Sequence, residues 1–246
     1  MAPVQQRTRY LKLPFYFDID LLNLEMNNIL SSEWLNHFNT GDYENGLTNI
    51  PLRSANGRLN YSMPVLNQNF LNTDILKRCT YFQTVLDIFK CEKNAVQLMS
   101  LEPGGVIKPR AHPGICFEDG LARLYIPIVT DPTIMFVIDG EPIHFSCGAA
   151  WYLNTSCIHS VANASSYPKI HLILDCIPNA WLKQVFDKAG FIPNDTPKYH
   201  DTSINDDNVI NIIKHLRAMG DPTSLHLADK LSKIHAQQKI VKNITH

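Results

Sequence analysis

The residues best suited to chemistry lie in the middle part of this 246-residue chain. His112 and His159 are candidate metal ligands, because imidazole binds iron, zinc and copper. Cationic or proton-transferring side chains lie in the same region: Arg110, Arg123, Tyr125, Lys169 and His171. The planar fork of Arg110 suits a bidentate contact with a carboxylate. The set therefore predicts a pocket that binds a small carboxylate and supports either metal chemistry or acid–base chemistry.

Each of these side chains also has a structural interpretation. The two histidines could be hydrogen-bonded residues of a cavity that holds no metal. Arg110 could form an ion pair with Glu118 or Asp119, which follow it on the same predicted loop. Lys169 could extend its ammonium group to solvent from a strand start, and Tyr125 could be a core aromatic residue. The residues alone leave both interpretations open.

The charge and the cysteine content exclude several classes of protein. The chain has 22 Lys and Arg against 23 Asp and Glu, so a broad cationic surface for nucleic acid is not expected. Its six cysteines are scattered, which argues against a disulfide framework and a structural zinc site. No apolar run approaches the ~18 residues of a membrane span, and residues 1–10 lack the apolar segment of a secretory signal. We therefore expect a cytoplasmic protein with reduced thiols and no membrane partner.

The elements that must position the candidate residues are mostly short strands. Runs rich in β-forming residues alternate with turn residues, and the runs are 95–101, 121–129, 133–138, 142–145, 149–153, 159–163 and 169–176. Asp139-Gly140 between two such runs predicts a hairpin. Arg123 and Tyr125 are two residues apart and so share a strand face, as do Lys169 and His171. Strands at roughly ten-residue spacing predict a sandwich or a jelly roll, whose inward faces can line a ligand cavity.

Helices are predicted on both sides of the strand region. Apolar spacing predicts one helix over residues 21–30, with Asp18 or Asp20 as its N-cap, and another over residues 73–89. Amphipathic segments follow at 179–189, 207–219 and 224–235. We therefore expect residues 1–178 to form N-terminal helices and a β core, and residues 179–246 to form a helical extension packed on that core.

The ordered motifs of the strand region resemble those of the aspartyl/asparaginyl β-hydroxylase family of Fe(II)/2-oxoglutarate oxygenases. The matching segments are LEPGGVIK (101–108), FEDGLARLYIPIVT (117–130), WYLN (151–154), HSVAN (159–163) and HLILDC (171–176). Upstream, WLNHFNTGDY (34–43) and PLR (51–53) are similar to the N-terminal part of bacterial members. The resemblance covers roughly residues 10–180. It implies a mainly β fold with flanking helices, the double-stranded β-helix or cupin-like jelly roll.

The resemblance also assigns residues to the family's site. Members hold a metal with two histidines, usually with one carboxylate, and His159 matches the second histidine. Ten residues further on, Lys169 stands where the family has the arginine that pairs with the distal carboxylate of 2-oxoglutarate. Arg123 matches the arginine of an Arg-x-His motif, in which Tyr125 replaces the histidine. The resemblance therefore implies that Lys169 and Arg123 hold 2-oxoglutarate.

The first metal motif, His-x-Asp in the family, differs in this chain. Without gaps it falls on Arg110-Ala111-His112, so an arginine takes the first ligand position and a histidine takes the carboxylate position. Arginine stays protonated and cannot bind a metal. A shift of two residues instead makes His112 the first ligand, and His112-Pro113-Gly114 then matches His-x-Gly, a form of the motif without the carboxylate. The flanking residues favour the alignment without gaps, and both alignments leave His112 and His159 as the expected metal ligands.

The resemblance implies an oxygenase that oxidises a small amino-acid-like or peptidyl substrate, with non-haem Fe(II) and 2-oxoglutarate as cofactors. Arg110 would bind a carboxylate of that substrate. Two alternatives stay open: a metal- and 2-oxoglutarate-independent isomerase, cyclase or lyase, and a non-catalytic protein that binds a small anion. The acid–base residues of the metal-independent enzyme would be Arg110, His112, Tyr125 and His159. The sequence also allows a homodimer.

Overall fold

The computed structural model describes residues 7–36, 43–44, 46–59, 69–193, 199, 201 and 203–242. Residues 37–42, which belong to the upstream segment 34–43 of the family resemblance, lie outside the described residues. The chain divides into two compact units. The larger unit is Thr8–Ile192, and the smaller unit combines Arg7 with the described residues from Pro193 onward. None of the helices in the described ranges has the length and apolar character that crossing a membrane requires.

Antiparallel strands make up most of the larger unit. They are β1 (Tyr10–Tyr16), β2 (Leu35–Asn36), β3 (Tyr43–Glu44), β4 (Leu47–Ala55), β5 (Phe70–Asn72), β6 (Lys93–Leu101), β7 (Val106–Arg110), β8 (Ala122–Val129), β9 (Ile134–Ile138), β10 (Glu141–Ile143), β11 (Ala149–Leu153), β12 (His159–Asn163) and β13 (Lys169–Cys176). One sheet has the order β1-β11-β8-β13-β6-β4-β2, with β5 beside β4, and the other has the order β10-β9-β12-β7-β3. Buried apolar residues of both sheets form one cluster between them. This arrangement confirms the predicted double-stranded β-helix.

The local sequence signals predicted the strands around the candidate residues well. The runs 149–153, 159–163 and 169–176 are confirmed as β11, β12 and β13. The Asp139-Gly140 hairpin is also confirmed, because Ile138 pairs with Glu141 across it and both turn residues have positive φ, 46° and 79°. Strands β1, β4 and β7 were not predicted, although β4 is almost wholly buried. The prediction that Arg110 lies on a loop is wrong, because Arg110 is the last residue of β7 and pairs with His159 of β12.

Helices flank the strands in the larger unit. They are α1 (Ile19–Asn27), α2 (Asp74–Arg78), α3 (Thr80–Ile88) and α4 (Ala180–Lys188), and a 3-10 helix covers Ser31–Glu33. Asp18 caps α1 as predicted, since its carboxylate accepts hydrogen bonds from the backbone of Asp20 and Leu21. The single predicted helix over 73–89 is wrong. The chain leaves helical geometry at Cys79, with φ −101° and ψ 86°, so that α2 packs on β4 while α3 packs on α1.

The two faces of the larger sheet have different environments, and this difference positions the candidate site. On β8, Leu124 and Ile126 belong to the cluster that the helices cover. Arg123 and Tyr125 therefore point to the opposite face, into the space between the sheets, where Tyr125 joins the apolar cluster. Lys169 shares this inward face with His171 on β13, as the sequence spacing predicted.

The smaller unit contains α5 (Val209–Met219) and α6 (Pro222–Lys242), which confirm the helices predicted at 207–219 and 224–235. Gly220 ends α5 with a φ of 72°, a left-handed conformation that favours glycine. The Tyr199 hydroxyl lies 2.5 Å from Oδ1 of Asp206 and 3.0 Å from Nδ1 of His235. The prediction that residues 179–246 form one extension packed on the core stays a prediction.

Candidate functional site

The interior between the two sheets has two ends that carry different chemistry. At one, which we call the histidine end, His159 on β12 lies opposite Arg110 on β7. Arg123 on β8 lies opposite Asp175 on β13 and is close enough for its charge to act on His159. Lys169 begins β13 and defines the lysine end. Because Lys169 and Asp175 are six residues apart on one extended strand, their α-carbons are separated by about 20 Å.

The two predicted metal ligands come together at the histidine end. The ring centroids of His112 and His159 are 5.2 Å apart, and their planes are inclined by 46°. His112 lies on the loop that follows β7, and its backbone N–H donates to the carbonyl oxygen of Thr155 at 2.7 Å. This hydrogen bond joins the loop to the segment that leads into β12. Two imidazoles this close together can bind one metal ion.

His159 has the protonation state that a metal ligand needs. Its Nδ1 lies 3.0 Å from the carbonyl oxygen of Cys157, which can only accept, so Nδ1 carries the proton and Nε2 keeps its lone pair. Burial lowers the pKa of His159, the hydrogen bond to Cys157 acts in the opposite direction, and the charges of Arg110 and Arg123 lower it further. The imidazole is therefore neutral near pH 7. Donation from the second ring nitrogen to a backbone carbonyl is typical of metal-binding histidines.

The ligand set is smaller than the family's usual one. Among the residues that the structure describes, no cluster of three or more His, Cys, Asp or Glu side chains could hold a metal ion. Arg110 stands at the histidine end, where its charge acts on both His159 and Tyr125. These residues fit a metal bound by two imidazoles, with a cationic side chain beside it. They do not provide the additional carboxylate of the usual set.

Tyr125 is placed as a hydrogen-bond donor at this end. Its ring is buried between the sheets, and burial raises the pKa of its hydroxyl, although the charges of Arg123 and Arg110 partly oppose that effect. The phenol therefore stays protonated at neutral pH. It can donate a hydrogen bond to a ligand oxygen, as the sequence predicted for a pocket residue.

Arg123 makes an ion pair that the sequence analysis missed. Its Nε and Nη2 donate to Oδ1 and Oδ2 of Asp175 at 2.6 and 2.8 Å, and both side chains are buried. The planar fork of Arg123 is thus directed at an internal carboxylate. The predicted contact of Arg123 with 2-oxoglutarate stays a prediction. The signal that was missed is Asp175 itself, the one carboxylate at an otherwise apolar end of β13. A buried carboxylate requires a cationic partner.

Lys169 lines a cavity of about 530 Å³ at the lysine end. The residue is only 4% exposed, and among the described residues no hydrogen bond or ion pair engages its ammonium group. Burial lowers its pKa to about 7. The cavity walls are mostly apolar, and Asp131 and His144 provide polar atoms. Charge and space at Lys169 therefore fit a carboxylate, including the distal carboxylate of 2-oxoglutarate.

Aromatic rings lie between the histidine end and this cavity. The ring of Phe136 is parallel to that of His159 within 7°, with centroids 6.4 Å apart, and Phe136 also lines the Lys169 cavity. Phe145 contacts Phe136 at 5.1 Å and His171 at 5.7 Å. His171 is fully buried, and neither of its ring nitrogens has a hydrogen-bond partner. The sequence analysis identified His171 but missed the two phenylalanines, because alternation alone marks them as core residues.

Comparison with known proteins tests the resemblance independently. The sequence pattern of the family described as aspartyl/asparaginyl beta-hydroxylase matches residues 25–178, which are 154 of the 246 residues. No curated protein matches the chain.

Solved structures with a remote similarity of shape include an oxidoreductase and a prolyl hydroxylase. An oxidoreductase of the 2OG-Fe(II) oxygenase family from Burkholderia pseudomallei has 12% identity and a TM-score of 0.48, and the match covers 69% of this chain and 85% of that one. A prolyl-4-hydroxylase from Pseudomonas putida has 12% identity and a TM-score of 0.43, with 70% and 94% covered. The family match covers all of the described strands except β1 and includes His112, His159 and Lys169. The chain therefore belongs to the aspartyl/asparaginyl β-hydroxylase family of oxygenase-like enzymes.

Proposed function

We propose that this chain oxidises a small amino-acid-like or peptidyl substrate at the histidine end of the barrel, with Fe(II) and 2-oxoglutarate as cofactors. The observation that carries the proposal is the approach of His112 to His159 at one end of the barrel of an oxygenase-like family member. When bound, the iron and 2-oxoglutarate would supply the activation of O2. A cytoplasmic location and a homodimer stay predictions.

The residues of this chain would bind and orient the reactants. His112 and His159 would hold the metal, and the neutral form of His159 supports this role. Arg110 would bind the substrate carboxylate beside the metal, since its charge already acts on the groups there. Tyr125 would donate a hydrogen bond to a bound oxygen atom. Lys169 would pair with the distal carboxylate of 2-oxoglutarate, because it is a buried cation in a cavity large enough for that ligand.

Metal content of the intact protein tests the proposal most directly. Protein prepared anaerobically with Fe(II) and then passed through a desalting column should retain about one metal ion per chain. His159→Ala and His112→Ala should each lose most of it, because one imidazole is a weak site. His226→Ala, an exposed histidine of α6, serves as the matched control and should retain the wild-type content.

The outcomes separate the proposal from its alternatives. Fewer than about one metal ion per ten wild-type chains would refute the metal site. Release of succinate from 2-oxoglutarate that depends on Fe(II) and is lost in His159→Ala would support the oxygenase. Turnover of a substrate by metal-free protein would instead favour acid–base chemistry by Arg110, His112, Tyr125 and His159. Unchanged metal content in both histidine variants would place the metal elsewhere.

A further inference from the structure

Lys169 is a buried primary amine for which the described structure provides no counter-ion. A buried ammonium group is normally paired, because its transfer out of water is costly unless an anion or several acceptors compensate. None of the described carboxylates forms an ion pair with Lys169, while the buried Arg123 has Asp175. The inward-facing residue two positions along, His171, offers no negative charge. The surroundings of Lys169 therefore shift its protonation equilibrium toward the free amine, relative to a lysine in water.

The amine is also accessible to a small molecule. The cavity that it lines has a volume of about 530 Å³, within the range of small-molecule sites. Four apolar side chains form much of its wall, namely Ile134, Phe136, Ile143 and Phe145. The segments 130–132 and 144–147, which connect strands at the lysine end, supply the remaining lining residues. A ligand with an apolar body can therefore enter from this end without passing the two histidines.

The family resemblance places an arginine where this chain has Lys169, and the two residues differ in one chemical respect. A guanidinium group stays protonated and does not attack carbonyl carbon, whereas a desolvated lysine can act as a nucleophile. We propose that Lys169 condenses with a small apolar aldehyde or ketone in this cavity to form an imine. This activity goes beyond the proposed oxygenase function and does not depend on it.

The reaction balances without an oxidant or a reductant. The nitrogen lone pair of Lys169 attacks the carbonyl carbon, and the electrons of the C=O π bond move to the oxygen. The carbinolamine then loses this oxygen as water, which takes up both protons of the original amine, and a C=N bond forms. Asp131 and the exposed His144 line the same cavity and can exchange these protons through water.

The protonation equilibrium supports the proposal. The pKa of Lys169 is lowered to about 7 by burial, so about half of the amine is free at pH 7. For a lysine with an ordinary pKa, only about one amine in 2,500 is free at that pH. The lower basicity reduces the reactivity of each free amine, but the population difference is much larger. Lys169 should therefore react faster than the exposed lysines of the same chain.

Reductive trapping of the full-length protein tests this inference. Benzaldehyde and sodium cyanoborohydride at pH 7 convert an imine into a stable benzylamine, which a chymotryptic peptide map can locate. The initial labelling of Lys169 should be at least about tenfold faster than that of the exposed Lys183 and Lys188. Label on the exposed lysines while Lys169 remains unmodified would overturn the proposal. This comparison uses the wild-type chain alone and does not depend on the folding of a variant.

Two variants and one competitor extend the test. Lys169→Arg keeps a cation but removes the primary amine, so the fast labelling should disappear, whereas Lys183→Arg should leave it unchanged. Fast labelling that persists in Lys169→Arg would overturn the assignment. Saturating 2-oxoglutarate should slow the labelling if its carboxylate occupies the same cavity. If 2-oxoglutarate does not slow the labelling, Lys169 is not part of the proposed oxygenase site, and the imine proposal still holds. If 2-oxoglutarate binds but no adduct forms at Lys169, the imine proposal is wrong and the oxygenase proposal is unaffected.

Discussion

Replacement of Lys169 by methionine should stabilise the ligand-free protein at neutral pH. Methionine has a similar length and no charge, so it fills the space without the cost of desolvating an ammonium group. Burial holds the pKa of Lys169 at about 7, below the ordinary lysine value of 10.5 that applies to the unfolded chain. The unfolded chain therefore binds more protons than the folded chain between these two values. The stability of the wild-type protein should rise with pH across this window, and the variant should lack this contribution.

The magnitude follows from the two pKa values. One unit of pKa difference corresponds to about 1.4 kcal/mol, so the buried lysine costs the wild-type fold about 4 kcal/mol at pH 7 and about 2 kcal/mol at pH 9. Below pH 7 the cost is nearly constant, because the folded state also becomes protonated. Any packing difference between the two side chains adds a contribution that does not vary with pH. The change of about 2 kcal/mol between pH 7 and pH 9 is therefore the diagnostic quantity.

Urea unfolding at pH 7, 8 and 9 measures this difference, with Lys183→Met as the matched control. Lys183 is 65% exposed in its side chain and pairs with Asp187 on the surface of α4. Its replacement should change the stability by less than about 1 kcal/mol at each of these pH values. If the stability difference between wild type and Lys169→Met stays constant from pH 7 to pH 9, Lys169 is charged throughout this range. The argument from desolvation would then be wrong.

Two further predictions concern the packing that holds the site. Asp175→Asn should lower the free energy of unfolding by about 3–5 kcal/mol, because it leaves the buried Arg123 without its counter-ion. The exposed control Asp187→Asn should cost less than about 1 kcal/mol in the same urea titration, and equal losses would show that the internal pair is no stronger than a surface one. Gly148→Ala should lower the melting temperature more than Gly140→Ala does. Both glycines have positive φ, but a Cβ at 148 would lie 2.5 Å from the carbonyl oxygen of Phe17 and one at 140 meets nothing within 4 Å. Similar decreases in the melting temperatures of the two variants would mean that the backbone moves to relieve the contact between the new Cβ at 148 and Phe17.

The strands were predictable where the signals are local. Each run from β11 to β13 has alternating or continuous apolar residues bounded by turn residues, and Asp139-Gly140 favours a two-residue hairpin by itself. The helix predicted over 73–89 failed for the opposite reason. Its apolar spacing continues through Cys79, but α2 and α3 pack on different elements, and the chain bends there to satisfy both contacts.

The sequence by itself determined which residues could do chemistry in this protein. The ordered motifs identified His112 and His159 as a pair and put Lys169 in place of an arginine, and strand alternation placed Lys169 and Arg123 on inward faces. These conclusions depend on residue type and on spacing along one strand, which are both local properties.

Only the tertiary structure decided how these residues are divided between two environments. It directed Arg123 at Asp175 across two neighbouring strands and placed Phe136 between His159 and the cavity of Lys169. Strand periodicity specifies the face of the sheet on which a side chain lies. It does not specify which side chain of another strand lies opposite, or how far the fold excludes water from that side chain. The opposing side chain and the exclusion of water together decide the state of a buried cation. Arg123 is paired with an internal carboxylate, whereas Lys169 is buried with its pKa lowered.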